Sequence, residues 1–337
     1  MCFQKIPETN QLQANEFFNE VIPAGKPLVI RGLVKDWPLV KAGIKSPFDF
    51  CNYLMRFDQG QNFNTVYGPA SVRGRIFYNQ DMSGLNCQSE QKKLAASLQF
   101  LLNNLQTSPA PTLAIQSVIL DQHLPGLTNE NQLALLANKA SPRLWIGNKT
   151  IVAAHYDASD NIACCVAGKR IFTVFPPDQV KNLYVGPFEF TPSGVSVSMV
   201  DFDNPDYEKF PDFKVAENNG FQAELHPGDA IYIPYLWWHH VRALSELNAL
   251  VNYWWNESPP VFGAPGNALQ HTLLSLKNAS PTQKQAWKAL FDYYIFNENP
   301  AAIAYIPEER QGILGKLKTE TVQAFKNGLI KALNKIN

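Results

Sequence analysis

The sequence predicts a mainly β protein with flanking helices, and three observations support this fold class. From Pro142 onward, short apolar runs alternate with turns rich in Gly, Pro, Asn and Asp, a density typical of a sandwich or barrel. Aromatic residues make up 12% of the chain and prolines number 24, which fits short strands and turns better than a helical bundle. His155 and Asp157 lie far along the chain from His239, and a closed double-sheet fold would bring such residues together.

The composition indicates a folded chain of 337 residues with a sizeable core, because 45% of the residues are hydrophobic and 17% are charged. Lys+Arg and Asp+Glu both total 29, so the net charge gives no general attraction to nucleic acid or to an anionic membrane. The N-terminus has no apolar signal core, and no apolar run reaches transmembrane length. The five cysteines are scattered and lack zinc-site spacing. We therefore expect a reduced cytoplasmic protein without a membrane partner.

Helices and strands are both predicted before Pro142. Leucines recur at helical spacing over 89–105, which predicts an amphipathic helix there. Ser46 followed by Pro47 is typical of a helix start, with Ser46 as the N-cap. The predicted helices cover 11–22, 46–54, 89–105 and 129–138, and the predicted strands cover 28–34, 64–67, 75–78 and 112–120.

The central region is predicted to be rich in strands. Two of them carry His155 and His239, and Asp157 directly follows the first of these two. Apolar runs bounded by turn residues predict these strands, and the segment 188–201 is only loosely strand-like. The predicted strands cover 144–146, 150–156, 162–166, 171–175, 221–225, 230–233, 239–243 and 249–255.

After Pro259 and Pro260 the pattern becomes helical again. Helices are predicted over 267–276, from Ser280 through Ile295, and over 319–336. We expect one β domain over 1–261, with an N-terminal α/β elaboration, and a helical extension over 262–337. The extension is too short for a separate core, so we expect it to pack on the barrel or to build a homodimer.

A metal site is predicted at His155, Asp157 and His239. In a strand, side chains alternate between the two faces, so a His-x-Asp pair places both side chains on one face. Two imidazoles and one carboxylate form a facial triad that leaves three coordination positions open, as in non-haem Fe(II) oxygenases. His240 is adjacent to His239, so only one of these two imidazoles faces the metal.

The motifs around these residues resemble the JmjC or cupin-8 branch of the 2-oxoglutarate oxygenases, in which asparaginyl hydroxylases are the nearest well-known type. The motifs are HYDASDN, GKR, FTVFPP, PGDAIYIPYLWWHHV and NALVNYWW, and the resemblance covers about 20–260. It implies a double-stranded β-helix, the jelly-roll form of the cupin class, and Fe(II), 2-oxoglutarate and O₂ as reactants. It also selects His239 rather than His240 as the third ligand.

The resemblance also implies residues for the cosubstrate. The basic residue that binds its distal carboxylate in the family stands fifteen positions after the first ligand, which is Arg170 here, with Lys169 as the neighbouring candidate. Asn161 and Asn252 match asparagines near the cosubstrate, and Gln116 is aligned with another cosubstrate residue. A structural interpretation competes at each position, because Arg170 also fits a solvated hairpin cation and each amide fits a buried group that caps the backbone.

Two departures from the family keep alternatives open. Val152 stands where relatives have Thr or Ser, and Ala114 stands where many have a Tyr that contacts the cosubstrate. We expect a hydroxylase of a protein side chain or a small molecule. The alternatives are a cupin-like protein that binds a metal or ligand without oxidation, and an interaction protein whose helical tail forms a dimer. Neutral charge makes nucleic acid an unfavoured substrate, and the sequence does not choose between hydroxylation and demethylation.

Overall fold

The computed structural model describes residues 3–137, 139–257, 260–297 and 303–334. Contacts along the chain separate one unit, Met1–Asn256, from a second unit, Glu257–Asn337. The first unit contains two β-sheets. Their strands are β1 Gln4–Lys5, β2 Glu8–Thr9, β3 Leu28–Ile30, β4 Asn62–Gly68, β5 Arg75–Ile76, β6 Gln88–Lys93, β7 Thr112–Ile119, β8 Pro142–Gly147, β9 Ile151–Tyr156, β10 Asp160–Ala167, β11 Arg170–Phe175, β12 Phe221–Leu225, β13 Ala230–Ile233, β14 Trp238–Ala243 and β15 Asn248–Trp255.

The strand order is that of a jelly roll. The smaller sheet has the order β1-β12-β11-β14-β9-β5, and the larger sheet has the order β2-β3-β13-β10-β15-β8-β7-β4-β6. From β8 to β15 the chain crosses repeatedly between the sheets, and the neighbours in this part pair antiparallel. Each sheet therefore receives four of these eight strands, which confirms the predicted double-stranded β-helix.

Strand β10 lies in the interior of the larger sheet, between β13 and β15, and is buried on both faces. Cys164 packs with the helices on the outer face, whereas Cys165 on the next position packs with residues between the two sheets. This alternation follows the period of two along a strand. A strand that is covered on both faces has a continuous run of apolar residues. This run is why the sequence predicts a strand over 162–166.

Helices cover the outer face of the larger sheet. Leu39, Phe50 and Leu98, from three of them, share one buried cluster with Ile162 and Val251 of the sheet. Ser46 caps the helix that begins at Pro47: its side chain accepts a hydrogen bond from the backbone N–H of Asp49, as predicted. The helices of the first unit are α1 Ala14–Glu16, α2 Ile22–Ala24, α3 Pro38–Lys45, α4 Pro47–Met55, α5 Leu94–Asn103, α6 Leu120–His123, α7 Leu127–Glu130 and α8 Phe213–Asn219.

The prediction of one helix over 89–105 was wrong in its first part. Residues Gln88–Lys93 form β6, an exposed edge strand that pairs with β4, and the helix α5 begins only at Leu94. The sequence QSEQKK has no apolar residue to place on a helix face, and charged side chains are common on edge strands because they oppose pairing with other chains.

Three other segments also differ from their predictions. The helix predicted over 129–138 is replaced by α7 and a 3₁₀ turn, because Asn131 uses its side chain to bond the backbone of Leu39 and Leu127; residue 138 lies outside the described residues. The helix predicted over 11–22 extends to Ala24 through a π-helical stretch, Phe17–Val21. The segment 188–201 is irregular, and a bridge between Val185 and Ser198 holds its base. Helices α3 and α8 were not predicted.

The second unit contains the predicted C-terminal helices, α9 Pro265–Leu276, α10 Pro281–Tyr294 and α11 Thr319–Leu333. A capping box between Ser280 and Gln283 fixes the start of α10. In the described part of this unit, Val322 is the only buried residue, and large apolar side chains of all three helices are exposed. No helix in the described residues is both long enough and apolar enough to span a membrane.

Candidate metal centre

His155 and His239 face each other across two paired strands. His155 lies near the end of β9, and its register partner on the antiparallel strand β14 is His239. Asp157 follows His155 by two positions and keeps to the same side. One nitrogen from each imidazole and one carboxylate oxygen all lie within 4.8 Å of one another. The structure therefore brings together the three side chains that the sequence analysis proposed as ligands.

The backbone fixes the orientation of both imidazoles. Nδ1 of His155 lies 2.9 Å from the carbonyl oxygen of Ala153, and Nδ1 of His239 lies 3.1 Å from the carbonyl oxygen of Trp237. A carbonyl oxygen only accepts, so each Nδ1 carries the hydrogen and each Nε2 keeps a free lone pair. Nε2 of His239 lies 3.5 Å from Oδ2 of Asp157, so these donor atoms converge.

The protonation states suit a divalent cation. Burial, and then the charge of His155, lower the pKa of His239 to about 4. Burial raises the pKa of Asp157, but the imidazoles of His239 and His155 and a hydrogen bond from Trp254 outweigh it, so this pKa lies below its ordinary value. At neutral pH His239 is thus neutral and the carboxylate is ionised, as metal ligation requires. Two imidazole nitrogens and one carboxylate fit Fe(II).

His240 has a structural role on the opposite side of β14. Its ring stacks on Phe202, with centroids 4.6 Å apart and an angle of 21° between the planes. It is buried, and this burial, followed by the charge of Arg75, lowers its pKa to about 3. His240 is therefore a neutral core residue that does not contribute to the metal centre.

A cavity of about 300 Å³ between the two sheets contains the three ligands. The cosubstrate candidates fall into two groups. Lys169 lies outside the cavity, half exposed, with its ammonium 4.0 Å from a carboxylate oxygen of Glu224. The other four line the cavity, and they are Asn161, Arg170, Asn252 and Gln116.

Arg170 lies two side-chain layers below the metal ligands on the smaller sheet. Along β14, His239 and Val241 line the cavity, and Arg170 on β11 is the register partner of Ala243, two positions after Val241. The middle layer is apolar, because Val152 on β9 is opposite Val241. Four residues of strand separate the backbone of the first and last layers by roughly 13 Å. The ligands and the guanidinium therefore lie toward opposite ends of one apolar-walled space.

Arg170 is a buried cation without an anionic partner. Its side chain is 5% exposed, its Nε makes no hydrogen bond, and no acidic side chain in the described part of the chain lies within ion-pair distance of it. Burial lowers its pKa to about 10, so it is still charged at neutral pH. Burying a charge is costly unless it is paired, so this guanidinium is poised for an anionic ligand.

The amides occupy the larger sheet. Asn252 donates a hydrogen bond of 3.1 Å from Nδ2 to Oδ1 of Asn161, so the two side chains support each other within the cavity wall. Oε1 of Gln116 accepts a hydrogen bond of 3.3 Å from Asn64, outside the barrel. Gln116 therefore connects the cavity to the open part of the larger sheet.

Two features of the site were missed in the sequence. Trp254 donates a hydrogen bond of 2.9 Å from Nε1 to Oδ2 of Asp157, a contact that strand alternation alone does not reveal. Pro192, Ser193 and Gly194, from the irregular segment between β11 and β12, line the cavity. Nothing in their periodicity signalled this position, because the segment lacks regular structure.

Comparison with known families decides the affiliation. A model of the cupin-like domain matches residues 14–260, which is most of the chain and includes every cavity-lining residue named above. The chain belongs to the cupin-like domain family. This result and the JmjC relatives confirm the resemblance to the JmjC and cupin-8 branch of the Fe(II)/2-oxoglutarate oxygenases.

Several curated proteins are similar to this member of the cupin-like family. JmjC domain-containing protein D of Dictyostelium discoideum is 26% identical over 245 residues, 69% of this chain and 52% of the relative. Lysine-specific demethylase 8 of Xenopus tropicalis is 24% identical over 258 residues, 74% of this chain and 53% of the relative. tRNA wybutosine-synthesizing protein 5 of Gallus gallus is 34% identical over 105 residues, 31% of this chain and 30% of the relative. The first two matches span about half the length of the relatives.

Proposed function

We propose that this protein is an Fe(II)- and 2-oxoglutarate-dependent oxygenase that hydroxylates a protein side chain. The observation that carries the proposal is a single cavity with a three-ligand centre at one end and the unpaired cation Arg170 toward the other. When bound to the three ligands, Fe(II) would supply the activation of O₂ that couples oxidative decarboxylation of 2-oxoglutarate to substrate oxidation.

Different side chains of the cavity bind the metal, bind the cosubstrate and exclude water. His155, Asp157 and His239 hold the metal, with each imidazole oriented by a backbone carbonyl. Arg170 binds the distal carboxylate of 2-oxoglutarate, for which its planar fork of donors is suited. The apolar layer between them, which includes Val241, contacts the methylene groups and excludes water. A dicarboxylic acid with an apolar middle matches this order of polar, apolar and polar layers.

Hydroxylation of a neutral group is favoured over demethylation of a methylated amine. Among the described residues that line the cavity, Asp157 is the only acid, and it is a metal ligand. A methylated ammonium would therefore find no free carboxylate there to pair with its charge. The demethylase and tRNA-modifying names of the relatives support the oxygenase class, and the resemblance to the asparaginyl-hydroxylase type stays a prediction.

An open polar face beside the cavity supports a polypeptide substrate. On the side of the larger sheet that faces the cavity, Ser89 donates a 2.6 Å hydrogen bond to Asn64, which donates in turn to Gln116 at the cavity wall. Ser89 and Asn64 are exposed. Uncharged amides and hydroxyls supply donors and acceptors for polar protein groups, whereas phosphates need clustered cations. A small molecule remains the second candidate substrate, since the cavity alone would hold it.

Metal loading and cosubstrate turnover test the proposed reaction. Protein loaded with Fe(II) and supplied with ascorbate should bind 2-oxoglutarate and convert it to succinate, and His155→Ala should abolish both. His271→Ala, at an exposed histidine of the second unit, is the matched control and should retain both. Metal binding without any 2-oxoglutarate binding would instead support the alternative, a cupin-like metal-binding protein, for which Val152 and Ala114 are the supporting residues.

A defined peptide library tests the substrate class. Incubation with the loaded protein should add single oxygen atoms to particular peptides, and Asn64→Ala should lower kcat/KM for those peptides without changing the 2-oxoglutarate affinity. Oxidation confined to a metabolite mixture, with no peptide modified, would favour the small-molecule alternative.

The described cysteines are free thiols, which supports a reducing compartment, and a cytoplasmic location stays a prediction.

We also propose that the protein is a homodimer through its C-terminal helices. Trp287, Leu290 and Tyr294 recur at helical spacing on α10 and are each 46–56% exposed. In the described part of the second unit only Val322 is buried, so these apolar faces have not formed a core of their own. A second copy of the chain would bring identical faces together and remove them from water.

A further inference from the structure

Two buried N–H donors of the cavity wall have no hydrogen-bond partner. Nε of Arg170 and Nε1 of Trp145 are both inaccessible to solvent, and neither finds an acceptor among the described residues. Both residues line the same cavity. Buried donors are almost always satisfied, so two orphaned donors in one cavity point to a ligand that accepts from both. Metal ligation does not account for either of them.

Register places the two donors at a similar depth on opposite sheets. Trp145 on β8 pairs with Leu250 on β15, and Leu250 pairs with Cys165 on β10, so these three residues form one layer of the larger sheet. The Cys165 thiol lies 3.2 Å from the carbonyl oxygen of Gly168, two positions before Arg170. Trp145 and Arg170 therefore both lie at the level of Cys165, below the metal ligands.

The neighbouring residues explain how an indole fits at this level. Ala114 on β7 and Gly147 on β8 are register partners and leave the wall beside Trp145 without bulky side chains. Ala114 and Val152, which also line the cavity, carry no side-chain hydrogen-bond donor. Among the described residues that line the cavity, Thr150 and Ser193 are the ones with a hydroxyl group. Trp145 therefore adds an indole N–H beside positions that carry no side-chain donor.

We propose that Trp145 is a specificity-determining residue whose indole N–H donates, beside Arg170, to the distal carboxylate of a 2-oxo dicarboxylic acid. This inference rests on the proposed function and goes further by assigning a second donor to the cosubstrate. The competing role is packing alone, since the Trp145 ring meets Trp254 edge to face, with centroids 6.2 Å apart.

Replacing the indole by a ring without N–H separates donation from packing. In protein loaded with Mn(II), calorimetry should show that Trp145→Phe raises the Kd for 2-oxoglutarate by about tenfold or more, the effect of losing one hydrogen bond to a charged group. The Kd for 2-oxobutyrate, which lacks the distal carboxylate, and the Kd for Mn(II) should be unchanged. Site-specific benzothienylalanine at position 145, which keeps the bicyclic shape without N–H, should reproduce the loss if the Phe variant folds poorly.

Control variants make the outcome decisive. Trp37→Phe removes an indole N–H that donates to the Gln132 carbonyl, away from the cavity, and should leave both Kd values unchanged. An unchanged 2-oxoglutarate Kd in Trp145→Phe, or an equal loss for 2-oxobutyrate, would overturn the inference while the proposed function stands. A large loss in Thr150→Val without one in Trp145→Phe would assign the donor to Thr150 instead. Absence of 2-oxoglutarate binding by the wild type would refute the proposed function itself.

Discussion

Trp254 donates its indole N–H to Oδ2 of Asp157 across 2.9 Å, and the same oxygen lies 3.5 Å from Nε2 of His239. The carboxylate is therefore held between an indole on the larger sheet and an imidazole on the smaller one. Asp157 follows the last residue of β9, where the strand no longer fixes its side chain. The hydrogen bond from Trp254 thus replaces the constraint that the strand gives to the two histidines.

Removing this hydrogen bond should weaken metal binding without removing a ligand. We expect Trp254→Phe to raise the Kd for Mn(II) by about 10-fold to 100-fold, the usual effect of losing a group that orients a ligand. Titration followed by calorimetry measures this change. Trp37→Phe is the matched control, and equal Mn(II) affinity in the Trp254 variant would show that Asp157 is oriented without the indole.

Arg170→Met should separate cosubstrate binding from stability. Loss of a buried ion pair costs about 3–5 kcal/mol, so the Kd for 2-oxoglutarate should rise at least 100-fold. Without cosubstrate, the free energy of unfolding should not fall, because the variant removes a buried unpaired charge. Calorimetry measures the Kd for 2-oxoglutarate, and urea unfolding measures the free energy of unfolding. Arg310→Met, at an exposed site, is the control, and marked destabilisation of metal-free Arg170→Met would argue for a structural arginine.

The metal-free protein should lose stability as the pH falls below about 6.5. His239 and His240 have folded pKa values of about 4 and about 3, below the ordinary value of 6.5, so the unfolded chain binds more protons in this range. Each histidine lowers the free energy of unfolding by about 1.4 kcal/mol per pH unit between 6.5 and its folded pKa. Asp157 adds nothing here, because its pKa is lowered and its contribution is lost only below about 3.8.

Urea unfolding between pH 4.5 and 7 measures this dependence. His240→Phe keeps a ring against Phe202 and should remove about half of the pH dependence, since one of the two titrating imidazoles is gone. His226→Gln, at an exposed position, should leave it unchanged. An undiminished dependence in His240→Phe would mean that other groups cause the acid sensitivity.

A charge on the apolar face of α10 should disrupt the proposed homodimer. Leu290→Asp places a carboxylate where the two faces would meet, so the mass in solution should fall from that of a dimer to that of a monomer. Gln285→Asp, on the opposite side of the same helix, should keep the wild-type mass. Light scattering on the full chain measures both. A wild-type protein that is monomeric at micromolar concentration would contradict the dimer.

The sequence predicted the parts of the site that depend on strand periodicity. His155 and Asp157 were recognisable because they are two positions apart, and His239 because a β-rich fold returns distant strands to the same place. The same alternation explains why His239 faces the metal centre whereas His240 packs on the opposite side of the strand. Arg170 was proposed from the resemblance alone, and its burial without a partner is a property of the packed barrel.

The parts that could not be predicted depend on contacts between distant side chains. The Trp254 hydrogen bond and the orphaned N–H of Trp145 require the register of several strands. In the fold, the periodic leucines that follow residues 89–93 predict a helix through this polar segment, whereas its pairing with β4 makes it a strand. Tertiary pairing of this kind overrides local preference.

The burial of the two adjacent cysteines of β10 affects how easily they are oxidised. Cys164 and Cys165 point to opposite faces of the strand, and burial raises the pKa of both thiols, that of Cys165 to about 12. Reactive oxygen attacks the thiolate form, which is scarcely populated at such a pKa. If O₂ reacts at the metal centre, these two thiols would therefore resist oxidation by reactive oxygen released in the cavity, even during turnover without substrate.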